Sequence, residues 1–124
     1  MQVLVVDDSA LVRRMVRATL ERAGFGCHEA ADGFEAVRLA LRNVYVLVVT
    51  DIQMPHLDGL KFIQRFRASR KSAGVPILVL TSQRDHATVL RARALGVQGF
   101  VLKPVEPEDL LARVRAALAT AAAD

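Results

Sequence analysis

Asp7-Asp8, Asp51, Thr81 and Lys103 are the residues of this 124-residue chain whose types and positions could do chemistry together. Each group stands directly after a short apolar run. Asp7-Asp8 follows Val3-Leu4-Val5-Val6, and Asp51 follows Tyr45-Val46-Leu47-Val48-Val49 and Thr50. Thr81 follows Ile77-Leu78-Val79-Leu80, and Lys103 follows Gly99-Phe100-Val101-Leu102. Three carboxylates, a hydroxyl and an ammonium are the parts that phosphoryl transfer needs. A carboxylate oxygen serves as nucleophile, cations neutralise the phosphoryl oxygens, and the hydroxyl donates a hydrogen bond. Two carboxylates about 4 Å apart repel by roughly 4 kcal/mol at an effective dielectric near 20. Three together force one to hold a proton unless positive charge sits among them, and Lys103 supplies part of that charge. An all-oxygen donor set suits Mg²⁺, and the sequence offers no Cys/His cluster for zinc.

The apolar runs are too short for helices, rich in β-branched residues, and read as buried strands. Between them lie segments of helical period. Leu11, Val12, Met15, Val16 and Leu20 share one face of a helix that begins near Ser9 and that Gly24 ends. A weaker strand is expected around Cys27 to Ala30, then a turn at Asp32-Gly33 and a helix through Val37, Leu39, Ala40 and Leu41. Asp58-Gly59 opens a helix with Leu60, Phe62, Ile63 and Phe66. A fourth helix, from about Arg84 to Leu95, carries Val89, Leu90 and Leu95 and is closed by Gly96. The last carries Leu110, Leu111, Val114 and Leu118. Strands apolar on both faces and separated by helices imply a parallel sheet covered on two sides. Right-handed crossovers then bring every strand's C-terminal end, and with it the polar set, to one edge.

Each of these residues also has a plainer reading. Asp8 or Ser9 serves as a cap for the first helix, Thr81 or Ser82 for the fourth, and Asp58 for the third. Lys103 taken singly is a solvated lysine. Asp51 resists such a reading, because Ile52 follows it and no helix starts there.

Composition sets the frame. Apolar residues make up 52% and charged residues 24%, the balance of one globular domain. A chain this long removes roughly two thirds of its unfolded surface from water, enough to fold without staples. Cys27 is the single cysteine and suits a reducing cytosol. Asp7-Asp8 interrupts the first apolar run, and no run approaches the roughly 20 residues of a membrane span, so a soluble, cytoplasmic protein is expected. The formal charge of +4 comes largely from arginines on helical segments, among them Arg13, Arg17, Arg67, Arg91 and Arg93, which read as solvated faces. One tyrosine and no tryptophan leave little for base stacking, so nucleic acid is not an expected partner.

Val5-Val6-Asp7-Asp8-Ser9, Thr50-Asp51-Ile52-Gln53-Met54-Pro55, Asp58-Gly59, Leu80-Thr81-Ser82 and Gly99-Phe100-Val101-Leu102-Lys103-Pro104 occur in that order. With them the chain resembles the response-regulator receiver family over essentially its full length, especially the chemotaxis-type single-domain members. The resemblance implies a flavodoxin-like (CheY-like) three-layer α/β/α fold with a five-stranded parallel sheet in the order 2-1-3-4-5. It implies one receiver domain over residues 1–124, with no nucleic-acid-binding output domain in the chain. Asp51 would be phosphorylated by a histidine kinase or phosphotransfer protein. Mg²⁺, or Mn²⁺ in its place, would be held by Asp8, Asp51 and the backbone carbonyl of Gln53, with Asp7 acting through water. Lys103 would contact the phosphoryl group, and Lys103-Pro104 would be cis. Thr81 would move toward a phosphoryl oxygen and Phe100 would swing inward behind it.

Where many members carry tyrosine this chain has Phe100, which can signal by shape but has no hydroxyl. Gln53 and Gln83 occupy the positions that in the family tune phosphoryl lifetime, and Val46 replaces a residue that is often polar. The face formed by the fourth helix, fifth strand and last helix is the expected output surface, with Arg84, Arg91 and Arg93 facing an acidic partner. The expected function is a phosphoacceptor switch, not a turnover enzyme. A receiver-shaped module working without phosphorylation is the second reading. An aspartate-nucleophile phosphatase is the third, disfavoured because Gln53 stands where that chemistry places a second acid.

Overall fold

The computed structural model describes residues 1–52, 58–82 and 86–123. Among them strands and helices alternate: β1 (Gln2–Val6), α1 (Ala10–Arg22), β2 (Gly26–Ala30), α2 (Gly33–Arg42), β3 (Leu47–Asp51), α3 (Gly59–Ala68), β4 (Ile77–Thr81), α4 (His86–Ala94), β5 (Gly99–Leu102) and α5 (Pro107–Ala123). The strands form one parallel sheet, as their apolar runs predict, in the order β2-β1-β3-β4-β5 that the resemblance implies.

Alternate strand residues serve opposite faces. Leu4, Val6, Val48, Ile77 and Val79 cluster with Ala36 of α2, Phe62, Ile63 and Phe66 of α3, and Ala92 of α4. Val3, Val5, Leu47, Val49, Leu78, Leu80 and Val101 cluster with Val16 and Leu20 of α1 and with Leu110, Val114 and Ala117 of α5. The result is a three-layer α/β/α sandwich, and burial on both faces is why β1, β3 and β4 read as nearly unbroken Val/Leu runs. The edge strand β5 is different: only Val101 is buried, and Leu102 is 65% exposed.

Several local expectations need correction. The third strand begins at Leu47 and not at Tyr45, because the β1–β3 ladder opens at Val3 opposite Leu47. Tyr45 is instead buried beside β2, its hydroxyl 2.7 Å from His28 Nδ1. Leu90 of α4 is 65% exposed, and that helix buries only Ala92. Arg67 is not on a solvated face. Its guanidinium donates to the carbonyls of Ser72, Ala73 and Val75 after α3, and to those of Leu95 and Gly96 at the end of α4. It therefore ties the lightly buried α4 to the α3–β4 connection, and its burial lowers its pKa below the ordinary arginine value. Gly24 and Gly96 end α1 and α4 at φ of 97° and 81°, a backbone region that side chains disfavour.

Cys27 on β2 is 5% exposed, and burial, with smaller contributions from Glu21 and Glu29, pushes its thiol up to about 11. The thiolate is the reactive form. At pH 8 we expect the native thiol to react with a disulfide reagent about 100-fold more slowly than the same thiol in denaturant. Equal rates would contradict the burial of β2.

Candidate functional site

A parallel sheet delivers every strand's C-terminal end to one edge, and the residues singled out in the sequence stand there. Val6 pairs with Thr50, Asp51 with Leu80 and Thr81 with Leu102, so the ends of β1, β3, β4 and β5 are level. Asp7 and Asp8 follow β1, Asp51 and Thr81 close β3 and β4, and Lys103 follows β5. The Lys103 amide also donates to the Thr81 carbonyl at 3.0 Å.

One carboxylate oxygen from each of Asp7, Asp8 and Asp51 falls within 4.8 Å of the other two. Asp7 is wholly buried and Asp51 is 8% exposed, whereas Asp8 faces solvent. Lys103 reaches between them, its Nζ 2.8 Å from Asp7 Oδ2 and 3.0 Å from Asp51 Oδ2. Burial opposes the lysine's charge, but the close ion pair with Asp7, the hydrogen bond to Asp51 and the charges of both outweigh it. The lysine pKa is raised above its ordinary value. A raised lysine pKa means that the stability supplied by the ammonium is fully present below the unfolded value. It is lost as pH climbs through the folded one.

Backbone donors hold the carboxylates in place. Asp51 Oδ1 accepts from the Ile52 amide at 2.7 Å, and Asp7 Oδ1 accepts from the Ser9 amide at 2.8 Å. Asp7 Oδ2 has the ammonium at ion-pair distance, yet among the described residues it is the buried side-chain oxygen that no well-directed hydrogen bond reaches. An oxygen left in that state, inside an all-oxygen cluster, fits a site built for a hard divalent cation.

Two of the capping readings are decided by the structure. Ser9 caps α1, its Oγ accepting from the Val12 amide at 3.2 Å, so Asp8 is not needed for that role. Asp58 caps α3 by accepting from the Lys61 amide at 2.9 Å. Phe100 is half-buried, with Arg93 Cζ 5.6 Å from its ring centroid. The Lys103-Pro104 bond is cis, as the resemblance implies. Gln53, Gln83 and Arg84 lie outside the described residues.

In the sequence Gly59 stands at a turn and helix start, and its position in the fold shows a second reason for glycine. Its amide donates to the Ile52 carbonyl at 2.7 Å. A Cβ there would stand 2.2 Å from the Asp51 carbonyl oxygen and 2.6 Å from Ile52 Cα, with no flexible side chain to yield. The first turn of α3 thus packs directly on the backbone that carries Asp51. A glycine just inside a helix already capped by Asp58 was the signal in the sequence.

A family model described as the response regulator receiver domain matches residues 3–115. The transcriptional regulatory protein SrrA of Staphylococcus aureus is 32% identical over 117 residues, covering 94% of this chain and 47% of that protein. The chain thus spans about half the length of the curated relatives it matches. The solved structure of the chemotaxis response regulator CheY4 of Vibrio cholerae superposes with a TM-score of 0.88 at 34% identity, covering 94% of this chain and 97% of that one. A CheY-like receiver domain protein from Methanospirillum hungatei gives 0.91 at 22% identity over 98% and 95%, a likeness of fold alone.

Two substitutions test this geometry. Lys103→Met leaves Asp7 buried without its cation, and we expect a loss of about 3–5 kcal/mol in urea denaturation at pH 7. Gly59→Ala forces α3 off the Asp51 backbone at a cost of about 1–3 kcal/mol, read the same way. Wild-type midpoints for both would contradict the placement of Lys103 and α3.

Proposed function

The chain belongs to the response-regulator receiver family, and on that premise we propose that it relays a two-component signal by accepting a phosphoryl group on Asp51. Members of this family are switches and not turnover enzymes, and they receive phosphoryl groups from histidine kinases. The observation that carries the proposal is the Asp51 carboxylate: one oxygen lies on the Ile52 amide, the other on Lys103, and Asp7 and Asp8 stand beside it.

Residues 1–124 act in this reading as one cytoplasmic receiver domain. The donor is a phosphohistidine of a kinase or phosphotransfer protein. An Asp51 oxygen attacks phosphorus, the P–N bond breaks, and its electron pair stays with the imidazole. Asp8, Asp51 and the Gln53 carbonyl would hold Mg²⁺, or Mn²⁺ in its place, and Asp7 would contribute through water. The bound cation supplies charge neutralisation at the phosphoryl oxygens. Lys103, already 3.0 Å from Asp51 Oδ2, moves from carboxylate to phosphoryl oxygen, and Thr81 donates its hydroxyl to another. Water attack at phosphorus later returns the carboxylate and inorganic phosphate, on a timescale set by Gln53 and Gln83.

The switch follows from what the acyl phosphate adds, which is charge and acceptor oxygens at one rim. As Thr81 is drawn in, Phe100 turns inward and the α4–β5–α5 face changes. Leu90 and Leu102 are exposed and Arg93 lies over the Phe100 ring, a surface for an acidic protein partner, whereas Arg91, expected on the same face, lines a groove with Leu60, Lys61 and Gln64 of α3. Among the described residues no helix is long and apolar enough to cross a membrane.

Intact mass after incubation with acetyl phosphate and Mg²⁺ tests the proposal, with beryllofluoride binding measured in parallel against a short-lived adduct. One added phosphoryl group, absent in Asp51→Asn and with EDTA, is the expected result. An adduct that survives Asp51→Asn would move the acceptor elsewhere. Neither adduct nor beryllofluoride binding would favour a module that works without phosphorylation.

A further inference from the structure

Asp8 is the exposed member of the acidic cluster, and an exposed aspartate ordinarily wanders among rotamers and backbone states. Here the backbone on both sides of it is held. The Asp7 amide donates to the Ala30 carbonyl at 3.1 Å, and the Asp7 carbonyl accepts from an Arg13 guanidinium nitrogen at 2.6 Å. A planar peptide carries that constraint straight to the nitrogen and Cα of Asp8. On the other side the Ser9 amide is bound to Asp7 Oδ1, the Ser9 carbonyl to the Arg13 amide at 3.0 Å, and Ser9 Oγ to Val12. Arg13 thereby closes a ring from the end of β1 through the first turn of α1.

A cation at this position would by itself oppose a divalent metal at the rim. It is balanced within its own group of ion pairs. Arg13 Nε lies 3.1 Å from Glu29 Oε1, Arg17 lies 3.1 Å from Glu29 Oε2, and Arg17 Nε lies 3.2 Å from Glu21. Two arginines and two glutamates sum to zero. Arg13 grips the peptide while Glu29, from β2, absorbs its charge.

Resting on the cation site of the proposed function, we propose that Arg13 is a positioning residue for that site: it fixes the Asp7-Asp8 peptide so that the two carboxylates are aimed at the cation before it arrives. Residues that orient metal ligands from behind typically change affinity 10–100-fold when removed.

The test is Mn²⁺ binding to the full chain, followed by electron paramagnetic resonance of the free ion. Arg13→Met should bind Mn²⁺ about 10-fold more weakly than wild type, and Arg13→Lys should fall between, since one ammonium can serve the carbonyl or Glu29 but less well both. Arg17→Met loses its ion pair to Glu29 without touching Asp7 and should bind within about twofold of wild type. In the metal-free chain, hydrogen exchange at the Asp8 amide should quicken in Arg13→Met relative to the β1 amides. If Arg13→Met does not fold, a loss of a few-fold in Arg13→Lys carries the same expectation. Wild-type affinity in the Arg13 variants, or an equal loss in Arg17→Met, overturns the positioning role while leaving the cation site standing. Failure of the wild-type chain itself to bind Mn²⁺ overturns both.

Discussion

Three carboxylates whose oxygens lie within 4.8 Å of one another repel strongly in a partly dry setting, and Asp7 is wholly buried. The ammonium of Lys103, 2.8 and 3.0 Å from two of them, makes the arrangement tolerable. That balance dictates much of the rest. It requires the ends of β1, β3 and β5 to be level, which a parallel sheet in register provides. It requires α3 to start against the Asp51 backbone, which only glycine at position 59 permits. Among the described residues the balance is nevertheless incomplete: Lys103 reaches Asp7 and Asp51 while three carboxylates converge, and Asp7 Oδ2 lacks a well-directed donor. A site satisfied to that degree and no further has room for added positive charge, and a divalent cation is the charge that oxygen ligands of this kind accept.

The elements near the rim differ in how firmly they are held. β1, β3 and β4 are buried on both faces, whereas α4 buries one alanine and is tied at its C-terminal end by Arg67. Elements with few buried apolar contacts are those that move at low cost. A change in charge at Asp51 therefore meets a rigid sheet on one side and a lightly packed helix near Thr81 and Phe100, which is the arrangement a switch needs.

Much of this was legible in the sequence because strong local patterns carried it. Apolar runs followed by Asp7-Asp8, Asp51, Thr81 and Lys103 placed both the strands and the site, since parallel topology leaves no freedom about which edge receives them. What stayed hidden depended on contacts between distant segments. Arg67 looks like any helical arginine until its carbonyl partners, up to 29 residues away, are in place. Arg13 and Glu29 are 16 residues apart and meet only once β2 lies beside β1. Tyr45 carries the composition of a strand but is buried as a side chain before the ladder begins. Leu90 follows helical spacing onto a face that nothing in the described chain covers.

The most direct test of an acidic rim in want of a cation is the urea midpoint of wild type and Asp51→Asn, each with and without Mg²⁺ at low ionic strength. An unfilled acidic rim makes Asp51→Asn, with one charge fewer, the more stable protein without Mg²⁺, and Mg²⁺ should raise wild type enough to close or reverse the gap. A less stable Asp51→Asn together with no response of wild type to Mg²⁺ would contradict it, and would make the cluster a structural ion-pair network complete in itself.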